Sequence, residues 1–200
     1  MKKIKVVAPL LTIVIVSFWG SKALLHPGFF TSHDGEHQLI RQYVFDQGLR
    51  DGQIPVRVSR QLYSGYGYPL FIFTYRLPFY LGELFRLSGL AFVDAVKLTF
   101  FLTYLLSGLT MFWFARRWGN LAGTVASVLY LYAPYRFSLM FVRAALGEHV
   151  ALAFIPLLLG LIDRTHTSNK NIIIGSLTLA AITLSHIMVI QILLLTLLLW

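Results

Sequence analysis

Apolar stretches dominate the chain and short polar segments separate them. Residues 4–24 form the first stretch, and 92–115 form the next unbroken one. Residues 121–133, 149–163, 171–186 and 187–200 follow at short intervals. A helix needs about 20 apolar residues to cross the hydrocarbon of a bilayer. The pattern predicts an all-α protein, a polytopic transmembrane helical bundle, in which a loop over 25–91 carries juxtamembrane helices. Within that loop His26-Pro27-Gly28 marks a turn. Asp34 stands where an N-cap would start a helix over 36–49. Leu39, Ile40, Tyr43 and Val44 recur at a spacing of three to four, which suits an amphipathic helix lying on the membrane. Asp51-Gly52 ends it.

Residues 68–87 are long and apolar enough to cross, yet Arg76 and Pro78 fall at their centre. An arginine at mid-bilayer costs about 2.5 kcal/mol or more on insertion scales. A broken pair of juxtamembrane or re-entrant helices avoids that cost. Charge placement favours the same solution. If 68–87 does not cross, then Lys2, Lys3 and Lys5, Arg116-Arg117, and Arg164 with Lys170 all fall on the inner side. This is the arrangement the positive-inside rule prefers. On this topology Ala133-Pro134 closes a span at the outer face.

Composition sharpens the picture. The chain is 57% hydrophobic, with a mean hydropathy of +0.71. Its net charge of +9 could suggest a nucleic-acid partner. The basic residues sit between apolar spans, however, so topology and lipid phosphate account for them better. With no cysteine, a disulfide or a thiolate metal site is excluded. The basic N-terminus followed by an apolar run reads as an uncleaved signal anchor, because further spans follow. The chain stops at Trp200 inside an apolar run, as an N-terminal part of a longer protein would.

Polar chemistry gathers on the expected outer side. Ser32-His33-Asp34-Gly35-Glu36-His37 packs two carboxylates and two imidazoles into six residues. Asp34 and Glu36 are the candidate catalytic acids. His33, His37, Arg57, Arg60, Arg143, Glu148, His149 and His186 are the candidate substrate-binding residues. If helical, His33 and His37 share a face. Two imidazoles and one or two carboxylates are a weak metal signature; a loosely held divalent cation, Mg or Mn, on Asp34 and Glu36 is the cofactor these residues would suit. Arginine forks onto phosphate, so the arginines suit a phosphorylated lipid, and headgroup snorkelling is the plainer use of any one of them. Arg143 stands out, with apolar neighbours and Glu148-His149 close behind. Asp94 and Lys97, three apart, are expected to pair on their helix. Phosphate-loop, dinucleotide, zinc-protease and nucleophile-elbow motifs are absent.

These features together resemble a known group. A signal anchor leads to the early acidic motif His33-Asp34-Gly35-Glu36-His37. An aromatic-Pro-Leu element, Gly67-Tyr68-Pro69-Leu70, opens the juxtamembrane helices. One span ends in Ala115-Arg116-Arg117-Trp118-Gly119 and another in Ala133-Pro134. The chain resembles the N-terminal half of the GT-C superfamily of integral-membrane glycosyltransferases. More narrowly it resembles YfhO-like bacterial membrane proteins, and those labelled pyruvoyl-tetrahydropterin-synthase-related. The resemblance implies a polyprenyl-phosphate-linked sugar donor. It implies transfer on the outer leaflet of a bacterial-type plasma membrane. It gives Asp34 the role of general base or metal holder, with Glu36 as a second acid. Many members carry an Asp-Glu or Glu-Asp doublet where this chain has Asp-Gly-Glu. Two other readings come from different classes. A lipid or solute transporter would place ionisable residues at mid-membrane. A non-catalytic membrane scaffold would tolerate replacement of Asp34 and the arginines.

Overall fold

The structure is a computed structural model and describes residues 4–164 and 168–198. Lys2, Lys3 and Trp200, used above for topology and chain end, lie outside the described residues. Ten α-helices occur among those residues, with no strand. The first, α1 (Ile4–Ser21), continues as a 3₁₀ turn over Lys22–Leu25. The loop region holds α2 (Gly35–Arg50), α3 (Leu70–Phe73) and α4 (Leu77–Leu87). Then come α5 (Phe92–Ala115), α6 (Asn120–Leu131) and α7 (Pro134–Phe137), the last running on in a π-helical stretch, Ser138–Val142. The chain continues through α8 (Leu146–Ile162), α9 (Asn169–Ser185) and α10 (Ile187–Leu198).

By length and composition, Val6–Leu25 and Phe92–Trp118 can each cross a membrane. A third crossing results if α6 and Pro134–Val142, bent by 46° at their break, count as one span. α8 is apolar but only 17 residues long, about 26 Å at 1.5 Å per residue. At the centre, α5 packs against α1, α2, α4, α6 and α8, while α8 also packs on α9.

The segment 68–87 is broken, as its internal arginine requires. Arg76 lies between α3 and α4, and its N–H donates to the Leu184 carbonyl at 3.1 Å. Three local features stand out. First, the break at Ala133-Pro134 is tied to neighbouring helices by hydroxyls, while Tyr132, Pro134 and Tyr135 are themselves exposed. The Tyr104 hydroxyl donates to the Leu131 carbonyl at 2.7 Å, and Tyr132 donates to the Val16 carbonyl at 3.2 Å. Tyr104 stands twelve residues into α5, about 18 Å from its start. Proline at Pro134 supplies no N–H, so the helix restarts there instead of continuing. Second, α2 does not bury the apolar stripe read from its sequence. Ile40 and Tyr43 are exposed, while Gln38, Gln42 and Asp46 are buried beside Val44 and Phe45. Polar partners on α4 draw that face inward. Third, Lys97 does not pair with Asp94; its Nζ donates to the His26 carbonyl at 2.5 Å.

Candidate functional site

The first loop is tied to the far end of the bent α6–α7 segment through its backbone. The N–H of His33 donates to the Val142 carbonyl at 2.9 Å, and that of Asp34 to the Arg143 carbonyl at 3.0 Å. Two adjacent amides bound to two adjacent carbonyls fix both position and direction. A side chain at position 35 would interfere with this clasp. A Cβ on Gly35 would sit 2.3 Å from Ser32 Oγ and 2.5 Å from the Phe29 ring. This is a physical reason for Asp-Gly-Glu in place of a carboxylate doublet.

Beyond the clasp the polar groups converge. Arg143 Nη1 donates to Glu148 Oε2 at 3.0 Å and to the Tyr135 hydroxyl at 3.4 Å. Tyr135 donates in turn to Glu148 Oε1. Glu148 opens α8, where the helix dipole favours a carboxylate. His186 joins from the α9–α10 break, with its ring 6.0 Å from that of Tyr75. α8 and α9 come close here because position 147 is glycine. A Cβ there would meet the Ser185 carbonyl at 2.5 Å and Tyr75 at 2.6 Å. Asp34, Arg143, Glu148, Tyr135 and His186 therefore share one end of the bundle.

Other candidates lie elsewhere. His33 precedes α2, so His33 and His37 do not share a helical face. Asp34 holds the N-cap position, but its side chain makes no capping hydrogen bond. Glu36 and His37 are exposed. Arg60 pairs with Asp51 at 3.6 Å, past the opposite end of α2 from Asp34, a helix about 24 Å long. Arg57 is on the same exposed loop. His149 does not face the cluster. It is buried, with Nε2 3.1 Å from the Phe100 carbonyl and its ring between Phe100 and Tyr104. Among the described residues no group of three or more His, Cys, Asp or Glu side chains comes together.

Two polar regions escaped the sequence reading. The first is the α2–α4 seam. Gln42 Nε2 donates to the Phe79 carbonyl at 3.1 Å and to Glu83 Oε2 at 3.2 Å, and Tyr75 donates to Gln38 at 3.1 Å. Asp46 accepts two hydrogen bonds from Arg50, at 2.8 and 3.2 Å. Burial raises the Glu83 carboxyl above its ordinary range, and the neighbouring Asp46 raises it further. The signal for this seam was the i, i+4, i+8 recurrence of Gln38, Gln42 and Asp46, which the adjacent apolar stripe masked. The second region is Arg136. It is 2% exposed and lies inside the bundle. Its Nη2 donates to Ser107 Oγ at 2.9 Å, and its guanidinium lies 5.6 Å from the rings of Tyr104 and of Tyr130. Its Nε and Nη1 have no hydrogen-bond partner, nor has Nδ1 of His149. No one-dimensional signal separates Arg136 from its exposed neighbour Tyr135.

Comparison with known proteins gives one match. The sequence model of a family described as a 6-pyruvoyl-tetrahydropterin synthase related domain, a membrane protein, matches residues 73–200. No curated protein and no solved structure matches.

Proposed function

The chain belongs to this 6-pyruvoyl-tetrahydropterin synthase related family of membrane proteins, and on that footing we propose that it is a glycosyltransferase of the GT-C, YfhO-like kind. The reaction is transfer of a sugar from a polyprenyl-phosphate-linked donor to an acceptor hydroxyl, on the outer leaflet of a bacterial-type plasma membrane. One observation carries the reading: the backbone clasp that joins His33-Asp34 to Val142-Arg143. It brings the early acid of the first loop to the end of the bundle where the Arg143–Glu148 pair stands.

In the proposed reaction Asp34 accepts the proton of the acceptor hydroxyl as its oxygen attacks the anomeric carbon. The bond from that carbon to the lipid phosphate oxygen breaks, and the electron pair leaves with the phosphate. Arg143 is the cation nearest at hand to offset the new charge. Glu148 and Tyr135 hold its guanidinium in a fixed orientation. Asp34→Asn in the full-length protein is expected to lower sugar transfer at least about a hundredfold, with the protein still inserted and folded. Unchanged turnover, measured with a radiolabelled lipid-linked sugar, would refute the base role.

A second reading has its own observation. A transporter places ionisable residues within the membrane, at breaks in its helices. Arg136 lies next to such a break, buried, with two unpartnered N–H groups. Arg136→Met separates the two readings. Transfer with lipid translocation intact points to the enzyme; loss of translocation across reconstituted vesicles, with transfer absent in both proteins, points to the transporter.

A further inference from the structure

A cavity of about 430 Å³ opens where α1 ends and α5 begins. Its walls include Phe18, Leu24, Leu25, Leu98 and Phe101, and its polar groups are Ser21, Lys22, His26, Asp94 and Lys97. Both flanking segments are long and apolar enough to span a membrane, so the cavity stands at the end of two spans. Lys97 lies five residues into α5, about 7.5 Å from its start. Counted from the start of the span, that distance is about the thickness of one headgroup layer.

Lys97 is the unusual group. It is 7% exposed, and its ammonium has one hydrogen-bond partner, the neutral carbonyl of His26. Among the described residues no carboxylate lies within the 4.0 Å of an ion pair. A nearly buried cation without an anion is costly. Lys22 lines the same cavity from the 3₁₀ turn after α1, its Nζ 4.9 Å from the Trp19 ring. Asp94, one turn before Lys97, also lines it. Two ammonium groups and one carboxylate leave one net positive charge. Apolar walls beside that single charge suit an amphiphile with a monoanionic head.

We propose that this cavity binds a membrane phospholipid whose phosphodiester headgroup carries a net charge of minus one. Its phosphate sits between Lys22 and Lys97, and an acyl chain lies along Phe18, Leu98 and Phe101. Asp94 disfavours doubly charged heads by like-charge repulsion. The proposal does not rest on the transferase reading, and sugar transfer is not its measure.

The test uses the full chain in detergent, titrated with dioleoyl phosphatidylglycerol or dioleoyl phosphatidylcholine and read by native mass spectrometry. Binding of the glycerol lipid should be about tenfold tighter than that of the choline lipid, a margin one ion pair near a surface can supply. Lys97→Met should abolish the preference and Lys97→Arg should keep it. Should Lys97→Met fail to fold, Asp94→Asn serves instead, and should strengthen binding of doubly charged phosphatidic acid relative to wild type. Equal affinity for the two neutral-tailed lipids would overturn the proposal. So would displacement of phosphatidylglycerol by millimolar inorganic phosphate, which would make the ligand a free anion. Displacement at equimolar concentration by a polyprenyl-phosphate sugar would assign the cavity to that donor instead and equally overturn it.

Discussion

The two buried polar regions of this protein solve the same problem differently. In the α2–α4 seam, side chains satisfy side chains: Gln38 takes the Tyr75 hydroxyl, Gln42 reaches Glu83, and Arg50 holds Asp46. Inside the bundle, side chains are satisfied mainly by backbone. Tyr104 donates to the Leu131 carbonyl, Tyr130 to the Leu152 carbonyl, Thr110 to the Ala153 carbonyl and Ser127 to the Gly108 carbonyl. Helix carbonyls keep a second lone pair, so neutral hydroxyls can be buried between helices at little cost. The seam, at the rim, can hold carboxylates because Arg50 remains exposed and carries its charge to water. Arg136 is the exception inside the bundle, a full charge with two unpartnered N–H groups. An ionisable group kept in such a place is a mark of function.

Gly147 lies where the two regions meet, with Tyr75 on one side and α9 on the other, so it offers the largest effect. Gly147→Val puts atoms within van der Waals contact of the Ser185 carbonyl and Tyr75. Overpacking of this kind costs about 1–3 kcal/mol. Thermal unfolding in detergent should fall by several degrees, and Tyr75 fluorescence should change with it. An unshifted midpoint would mean that α8 and α9 are not in firm contact.

The next effect isolates one bond inside the bundle. Tyr104→Phe removes the hydroxyl that reaches Leu131 and leaves the ring. Its expected cost is about 1 kcal/mol, the net value of one such bond. A loss well above that would show that the break at Ala133-Pro134 depends on this hydroxyl.

The smallest effect separates the regions by pH. The carboxyl of Glu83 is raised in the folded protein, first by burial and then by Asp46. A raised carboxyl binds its proton more tightly folded than unfolded. Its contribution is therefore fully present below the ordinary glutamate value, about 4.3, and is lost as pH rises through the folded value. Stability should decline over that window in the wild type, and the decline should be shallower in Glu83→Gln. A variant with the same slope as wild type would place the titration elsewhere. Substitutions inside the bundle, Tyr104→Phe included, should shift the whole profile without changing its shape.

How much was legible varied with the kind of signal. Two helices were legible nearly to their ends: capping and turn residues gave 36–49, which became Gly35–Arg50, and an apolar run gave 92–115, which became Phe92–Ala115. Arg76 and Pro78 marked the break in 68–87. Asp34, Arg143 and Glu148 were legible as polar residues near span ends, and the structure brings their segments to one end of the bundle. His149, adjacent to Glu148 in sequence, turns into the interior instead, because neighbours on a helix point about 100° apart. Arg136 is buried while its neighbour Tyr135 is exposed, a difference that their spacing from the helix break does not reveal.

The sequence alone thus determined an all-helical membrane protein, its helix boundaries and the clustering of its acids in the first loop. Those are properties of hydrophobic runs and of residue spacing, which a single strand of text contains. Only the tertiary structure decided which face of α2 is buried, that Arg136 is buried, and that Lys97 faces a cavity and does not pair with Asp94. Each of these depends on what a distant segment offers in return, a carbonyl, a hydroxyl or a void, and the hydrogen-bond partners lie between 29 and 71 residues away along the chain.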